Sequence, residues 1–163
     1  MVWTELNNRV RMSVLASIPH RVEFFGCFTD PASGGLLSTF PNIDYRGSVD
    51  YVRELPALYA SSRVAVDVAN ALVQQSLPGK FYDCCAAGGF MLVEYKQDVV
   101  DRFGEPALQI SYRTPDELAE RIDYFLTHEK KRREIAAHLR ERMHAEFTTA
   151  HWLAGFLGDL FPE

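Results

Sequence analysis

The chain has 163 residues, of which 47% are hydrophobic and 24% charged, and this is enough for one globular domain with its own core. Its net charge of −5 argues against bulk electrostatic binding to nucleic acid or to an anionic membrane. No apolar run approaches the roughly 20 residues that span a bilayer, and the first residues lack a signal-peptide pattern, so we expect a cytoplasmic protein.

Strand and helix patterns alternate along the chain. The predicted strands are short β-branched or aromatic segments, and they cover residues 21–26, 42–47, 63–69, 90–95 and 107–111. The predicted helices among them cover residues 7–18, 54–62 and 79–88, and a turn-rich segment over 28–41 predicts a loop. Because the two patterns alternate, we predict an α/β fold with a Rossmann-like, mainly parallel sheet flanked by helices.

The sharpest local signal is the sequence TPDELAERIDYFL, which predicts a helix that begins at Thr114. Thr114 is an N-cap, Pro115 occupies the first helical position, and Glu117 completes a capping box. The buried face of this helix is predicted at Leu118, Ile122 and Phe125. A second helix follows over about 130–147, with Ile135, Leu139 and Met143 turned inward, and HWLAGFLGDLF forms a last one. No linker divides the chain, so we predict a single domain over residues 1–163.

The cysteines do not indicate a metal site. Cys84 and Cys85 are adjacent, so on a helix they point about 100° apart and do not easily share one ion. Cys27 stands alone, and the five histidines form no ligand spacing with the cysteines. We therefore expect no metal, and we interpret the sequence CCAAGG as a helix face kept small for close packing.

Two loops at the carboxyl ends of predicted strands are candidates for ligand binding, because parallel sheets bind ligands at that edge. One loop covers residues 47–51, and the other covers 70–80 and leads into a helix. The first turn of a helix suits phosphate, and Lys80 lies there although a cation is unfavourable for the helix itself. Asp83, one turn farther on, could accept hydrogen bonds from a ribose diol. The alternative is that Lys80 only reaches solvent and that Asp83 only stabilises the helix start.

The order of these features resembles a known family. The segments YRGSVDYVRELPALYASSRVAVDVANALVQQSLPGKFYDCCAAGGFMLVEY and EPALQISYRTPDELAERIDYFL resemble the C-terminal, nucleotide-sugar-binding half of glycosyltransferases with the GT-B fold, in the branch related to spore-maturation enzymes. The resemblance covers residues 44–148 best. It implies a donor that is a UDP-, GDP- or dTDP-linked sugar, with no cofactor and no metal.

The resemblance also implies roles for individual residues. The family has two glutamates eight positions apart, and the matching positions here are Gln75 and Asp83. Gln75 would lie near the donor sugar, and Asp83 would hold the ribose hydroxyls. The remaining implied contacts are backbone groups of Gly47, Ser48 and Val49 with the base, backbone N–H groups of Ser76 and Leu77 with the diphosphate, and the side chains of Lys80 and Arg9 with phosphate.

The family's enzymes have two Rossmann-like domains, and the first one holds the acceptor. This sequence resembles the second domain alone, so we expect a donor-binding half that is inactive or nearly so by itself. Its expected partner is an absent N-terminal domain, or a second copy that associates through the last helix. An alternative is an α/β regulatory or scaffold module that binds a protein partner and no nucleotide. A third reading, a flavodoxin-like or response-regulator domain, lacks paired acidic residues after a first strand and a hydroxyl-rich phosphate loop.

Overall fold

The computed structural model of the protein describes residues 3–26, 39–70 and 75–161. Within these ranges the strands are β1 (Val22–Phe25), β2 (Ile43–Gly47), β3 (Ala65–Val66), β4 (Met91–Glu94) and β5 (Ser111–Tyr112). The helices are α1 (Trp3–Ala16), α2 (Leu55–Ser61), α3 (Gly79–Ala86), α4 (Gln97–Phe103), α5 (Glu105–Ile110), α6 (Pro115–Thr127), α7 (Glu129–Glu146) and α8 (Thr149–Leu160). Strands and helices alternate, which confirms the predicted α/β class.

The described strands form two parallel sheets. In the first sheet β1 pairs with β2, with Val22 opposite Ile43. In the second sheet β4 is central, pairing with β3 through Ala65 and Met91 and with β5 through Val93 and Ser111. Every described pairing is parallel, as predicted, and helices flank the strands as in a Rossmann-like fold.

Three segments differ from the sequence prediction. The predicted strand over 107–111 is wrong: Gly104, with φ of 65°, ends α4, and Pro106 lies in the first turn of α5, where its fixed φ favours a helix. Only Ser111 and Tyr112 pair as a strand there. The predicted strand over 63–69 is reduced to Ala65–Val66, and α4 was not predicted. The loop predicted over 28–41 lies mostly outside the described residues.

The capping prediction at α6 is confirmed. The Thr114 side chain accepts a hydrogen bond from the backbone N–H of Glu117 at 3.2 Å. In return, Glu117 Oε2 accepts from the backbone N–H of Arg113, the residue before the cap, at 2.7 Å. The predicted inward residues of the helices are all buried, namely Leu118, Ile122, Phe125, Ile135, Leu139 and Met143.

The small residues around α3 permit close packing, as predicted. Cys84 and Cys85 are both fully buried, and α3 packs against α7. A Cβ atom added at Gly89 would lie 2.6 Å from Cys84 Sγ and 2.8 Å from the carbonyl oxygen of Tyr59. The turn between α3 and β4 therefore has no room for a side chain at this glycine.

The last helix, α8, differs from the others because none of its residues is buried. Its apolar side chains include Trp152 and Phe156, whose rings stack with centroids 5.3 Å apart, and Trp152 is 67% exposed. Within the described residues, no helix is both long and apolar enough to cross a membrane.

Candidate functional site

The candidate site is built around the carboxyl ends of β2 and β3 and the first turns of α3. Gly47 ends β2 with φ of 82°, a conformation that favours glycine. After it, Asp50 Oδ1 accepts hydrogen bonds from the backbone N–H groups of Val52 and Arg53 at 2.9 and 2.8 Å. Glu54 Oε2 accepts from the N–H of Asp50 at 2.8 Å. These bonds hold the turn that leads from β2 to α2 in one conformation.

Tyr51 joins this turn to α3. Its hydroxyl group donates a hydrogen bond to Asp83 Oδ2, although 62% of the Tyr51 residue is exposed. The bond to the Asp83 carboxylate raises the pKa of Tyr51, because an ionised tyrosine could no longer donate. The structure thus brings the first of the two loops that the sequence proposed as ligand-binding into contact with Asp83 in α3. The sequence analysis missed Tyr51, whose only signal was its place beside the predicted 47–49 contacts.

Lys80 forms an ion pair that was not predicted from the sequence. Its ammonium group contacts Oδ1 of Asp67, which follows β3. The Asp67 residue is only 2% exposed. Within the described ranges, its buried Oδ1 has no polar partner other than the Lys80 ammonium group. Because a buried carboxylate requires a partner, Asp67 gives a structural reason for a cation in the first turn of α3. The Lys80 side chain is still 36% exposed, so it also faces solvent.

Two further side chains reach the backbone beside Asp67. The Tyr112 hydroxyl donates to the carbonyl oxygen of Asp67 at 2.6 Å, and burial raises the pKa of Tyr112 well above its usual range. Arg11 Nε donates to the carbonyl oxygen of Val68 at 2.9 Å. Arg9, the arginine named in the sequence prediction, lies exposed on α1 two residues before Arg11.

The N-terminus of α3 has no side-chain cap. Pro78 occupies the N-cap position, and its side chain accepts no hydrogen bond from the first turn. The N–H of Phe81 donates to the carbonyl oxygen of Pro78 at 2.9 Å, but the N–H groups of Gly79 and Lys80 precede any partner within the helix, so they are available to an anion. Gln75 and Ser76 are exposed just before this turn and Leu77 is buried, while Ser48 is exposed and Val49 is half-buried. Residues 71–74 of the predicted loop lie outside the described residues.

The same edge of the second sheet carries more charged side chains. After β4, Lys96 is nearly buried, and its Nζ lies 3.7 Å from Glu94 Oε1. After β5, the guanidinium group of Arg113 lies 3.8 Å from the centre of the Tyr95 ring, in a cation–π contact. These residues were not predicted from the sequence, because their contacts depend on the pairing of β4 with β5.

The cysteines of α3 are buried as small apolar residues. Burial raises the pKa of the Cys84 thiol to about 12 and raises that of Cys85 as well, so both stay protonated at neutral pH. Among the described residues, no cluster of three or more His, Cys, Asp or Glu side chains is arranged to hold a metal ion.

Comparison with known proteins gives one match. The sequence model of one protein family, described as glycosyl transferase-like, matches residues 9–158. No curated protein and no solved structure matches the chain.

Proposed function

Because the chain belongs to the glycosyl transferase-like family, we propose that it is the donor-binding half of a glycosyltransferase that uses a nucleotide-diphosphate sugar. The family match covers residues 9–158 and so includes every residue of the candidate site. The observation that carries the proposal is the junction of Tyr51, Asp83, Lys80 and Asp67 at the start of α3. It places a carboxylate and a fixed ammonium group on one helix N-terminus.

In this proposal Asp83 holds the ribose of the donor. A carboxylate accepts about four hydrogen bonds, so the Tyr51 hydroxyl and a ribose diol can share it. The turn from Gly47 to Val49 comes just before Tyr51 in the chain, and its backbone would contact the base. UDP and GDP carry both the ribose diol and the diphosphate that these groups recognise. dTDP carries the same diphosphate with a deoxyribose, which offers Asp83 one hydroxyl group in place of two, so the proposal covers all three.

The diphosphate would lie at the first turn of α3. An ammonium group has three N–H donors, and the contact with Asp67 Oδ1 occupies one of them. Lys80 could therefore bind phosphate with its remaining donors while Asp67 keeps its position fixed. Backbone N–H groups of Ser76, Leu77, Gly79 and Lys80 would supply the other donors, and together they would stabilise the charge that develops on the departing diphosphate. Gln75 would then face the sugar.

The proposal assigns no acceptor site to the described residues, so we expect no sugar transfer by this chain alone. The partner would be an N-terminal, acceptor-binding half or a second copy that packs on the exposed apolar face of α8. No cofactor and no metal are part of the proposed reaction.

A second candidate is a scaffold module that binds a protein and no nucleotide. It is favoured by the ion pair of Lys80 with Asp67, because a cation that is already neutralised attracts an anion less strongly. The exposed apolar side chains of α8 would then form its binding surface.

Thermal melting with added ligands separates the two candidates. A ligand that binds only the folded state stabilises it by about 2.7 kcal/mol at a hundredfold excess over its dissociation constant. We expect UDP, GDP or dTDP to raise the melting temperature, and we expect Asp83→Ala to abolish most of that rise while it preserves the rise caused by pyrophosphate. Asp159→Ala, which removes an exposed carboxylate on α8, is the matched control. If no nucleotide changes the melting temperature, the scaffold reading replaces the proposal.

A further inference from the structure

A large cavity separates the two sheets. It has a volume of about 740 Å³ and lies between β1 and β3, with residues of both strands in its wall. Helices α1, α2 and α6 cover part of it with apolar side chains, among them Met12, Leu58 and Ile122. Charged side chains, among them Arg21 and Arg63, line the rest, and the cavity is partly open to solvent. The volume equals that of about 25 water molecules at 30 Å³ each. Protein interiors are close-packed and have few voids larger than one water molecule, so a space of this size between core elements can admit a further chain segment.

The strand β1 directs half of its backbone groups into this space. Alternate residues of a parallel strand bond to opposite neighbours. The N–H of Val22 donates to Asn42 at 2.8 Å, and that of Gly26 donates to Gly47 at 2.9 Å, so these residues face β2. Glu23 and Phe25 therefore direct their backbone N–H and C=O groups away from β2, toward the cavity.

The strand β3 presents the same kind of edge from the other side. The N–H groups of Ala65 and Asp67 donate to carbonyl oxygens of the β4 strand region, both at 2.8 Å. Val64, Val66 and Val68 therefore direct their backbone groups away from β4, and all three line the cavity. In the described parts of the chain, β1 and β3 have no hydrogen-bonded pairing with each other.

Arg11 marks the end of this open edge. Its Nε donates to the carbonyl oxygen of Val68 at 2.9 Å, in a position where a neighbouring strand would supply a backbone N–H. A side chain thus satisfies a carbonyl group just after β3 on the cavity side, while no strand among the described residues pairs with Val64 and Val66 on that side.

We propose that one extended, apolar β-strand that is not part of residues 1–163 fills the cavity and pairs with β1 on one side and with β3 on the other. Insertion would join the two parallel sheets into one. The strand would be about five residues long, the usual length of a strand. It would be apolar where helices α1, α2 and α6 cover the cavity. The strand β4 is the example within this chain, because it lies between two parallel neighbours with Met91, Leu92 and Val93 buried. The proposal does not depend on nucleotide binding.

Amide hydrogen exchange of the full chain tests this proposal, with controls inside the same strands. In the chain alone, we expect the amides of Glu23, Phe25, Val64 and Val66 to exchange at least tenfold faster than those of Val22, Gly26, Ala65 and Asp67. The probe is a synthetic peptide with the sequence of residues 90–94 and two lysines at each end. We expect the peptide to slow the first four amides at least tenfold and to leave the other four unchanged.

Two controls decide between outcomes. A peptide with proline in place of Leu92 lacks the central N–H and should have no effect. The same five residues fused before Met1 through a flexible linker should protect the four amides without added peptide. Equal protection of all eight amides in the chain alone would mean that the sheets are already joined, and the proposal would be wrong. Protection that rises with protein concentration, together with a dimer mass, would assign the space to a second copy and also contradict it.

Discussion

The ion pair between Lys80 and Asp67 predicts that Lys80→Met lowers the free energy of unfolding. Removal of one partner of a buried pair costs about 3–5 kcal/mol, because the other charge stays buried without a partner. Asp67 is only 2% exposed, but the Lys80 side chain is 36% exposed, so water can replace part of the lost contact. We therefore expect the free energy of unfolding to fall by about 3 kcal/mol, the low end of this range. At roughly 2–4 °C per kcal/mol for a chain of this size, the melting temperature should fall by roughly 6–12 °C.

The sign of this stability change differs from the one that the sequence alone predicts. By helix electrostatics alone, removal of a cation from the positive end of α3 would leave stability unchanged or raise it slightly. The assay is denaturant unfolding followed by circular dichroism, applied to wild type, Lys80→Met, Asp67→Asn and the double variant. The double variant should regain most of the loss, since no charge is then buried alone. Lys131→Met removes an exposed lysine from the first turn of α7 and should change stability by less than about 0.5 kcal/mol.

A Lys80→Met variant as stable as wild type would refute the reasoning. The same conclusion would follow if the two single variants were additive in the double variant, because two residues in an ion pair must show a coupling energy.

Three further predictions concern packing and protonation. Gly89→Ala should destabilise the fold by about 1–3 kcal/mol in denaturant unfolding, because the added Cβ meets Cys84 Sγ at 2.6 Å, whereas Gly79→Ala, which meets nothing within 4 Å, should not. Equal stability of the two variants would contradict this. A chain ending at residue 148 should melt at the wild-type temperature, since α8 buries no residue; a drop of several degrees in calorimetry would show that α8 packs on the fold. Burial raises the pKa of the Cys84 thiol to about 12 and raises that of Cys85 above its usual value of 9.0. The free energy of unfolding should therefore be fully present below pH 9 and decrease above it. In a Cys27→Ser background, iodoacetamide should label neither thiol at pH 8, and rapid labelling would contradict their burial.

Much of the fold follows from local sequence signals. The cap at Thr114, Pro115 at the first helical position and the spacing of Leu118, Ile122 and Phe125 act within one helix, so the sequence alone predicts α6 correctly. The segment after Gly104 shows where such signals mislead. A segment of five residues, three of them apolar, fits a strand as well as a buried helix. Here Pro106 and the positive φ of Gly104 favour the helix.

The candidate site was only partly predictable. The sequence predicted two candidate loops after parallel strands, and Tyr51, in the first of them, contacts Asp83 in α3. The partners of the charged residues were not predictable, because the Tyr51–Asp83 contact spans 32 positions and the Lys80–Asp67 pair depends on how β3 meets α3. Long-range pairs of this kind follow from tertiary packing, which no local spacing encodes.

The most direct test of the central claim is a calorimetric titration of wild type and Asp83→Ala with UDP, GDP and dTDP, with pyrophosphate as the reference anion. The proposal predicts that at least one nucleotide binds wild type at millimolar concentration or below. It also predicts that Asp83→Ala weakens this nucleotide at least tenfold, about 1.4 kcal/mol, while pyrophosphate binds both proteins equally. If no nucleotide binds wild type at millimolar concentration, or if Asp83→Ala weakens pyrophosphate as much as the nucleotide, the chain does not hold a nucleotide sugar in the way proposed.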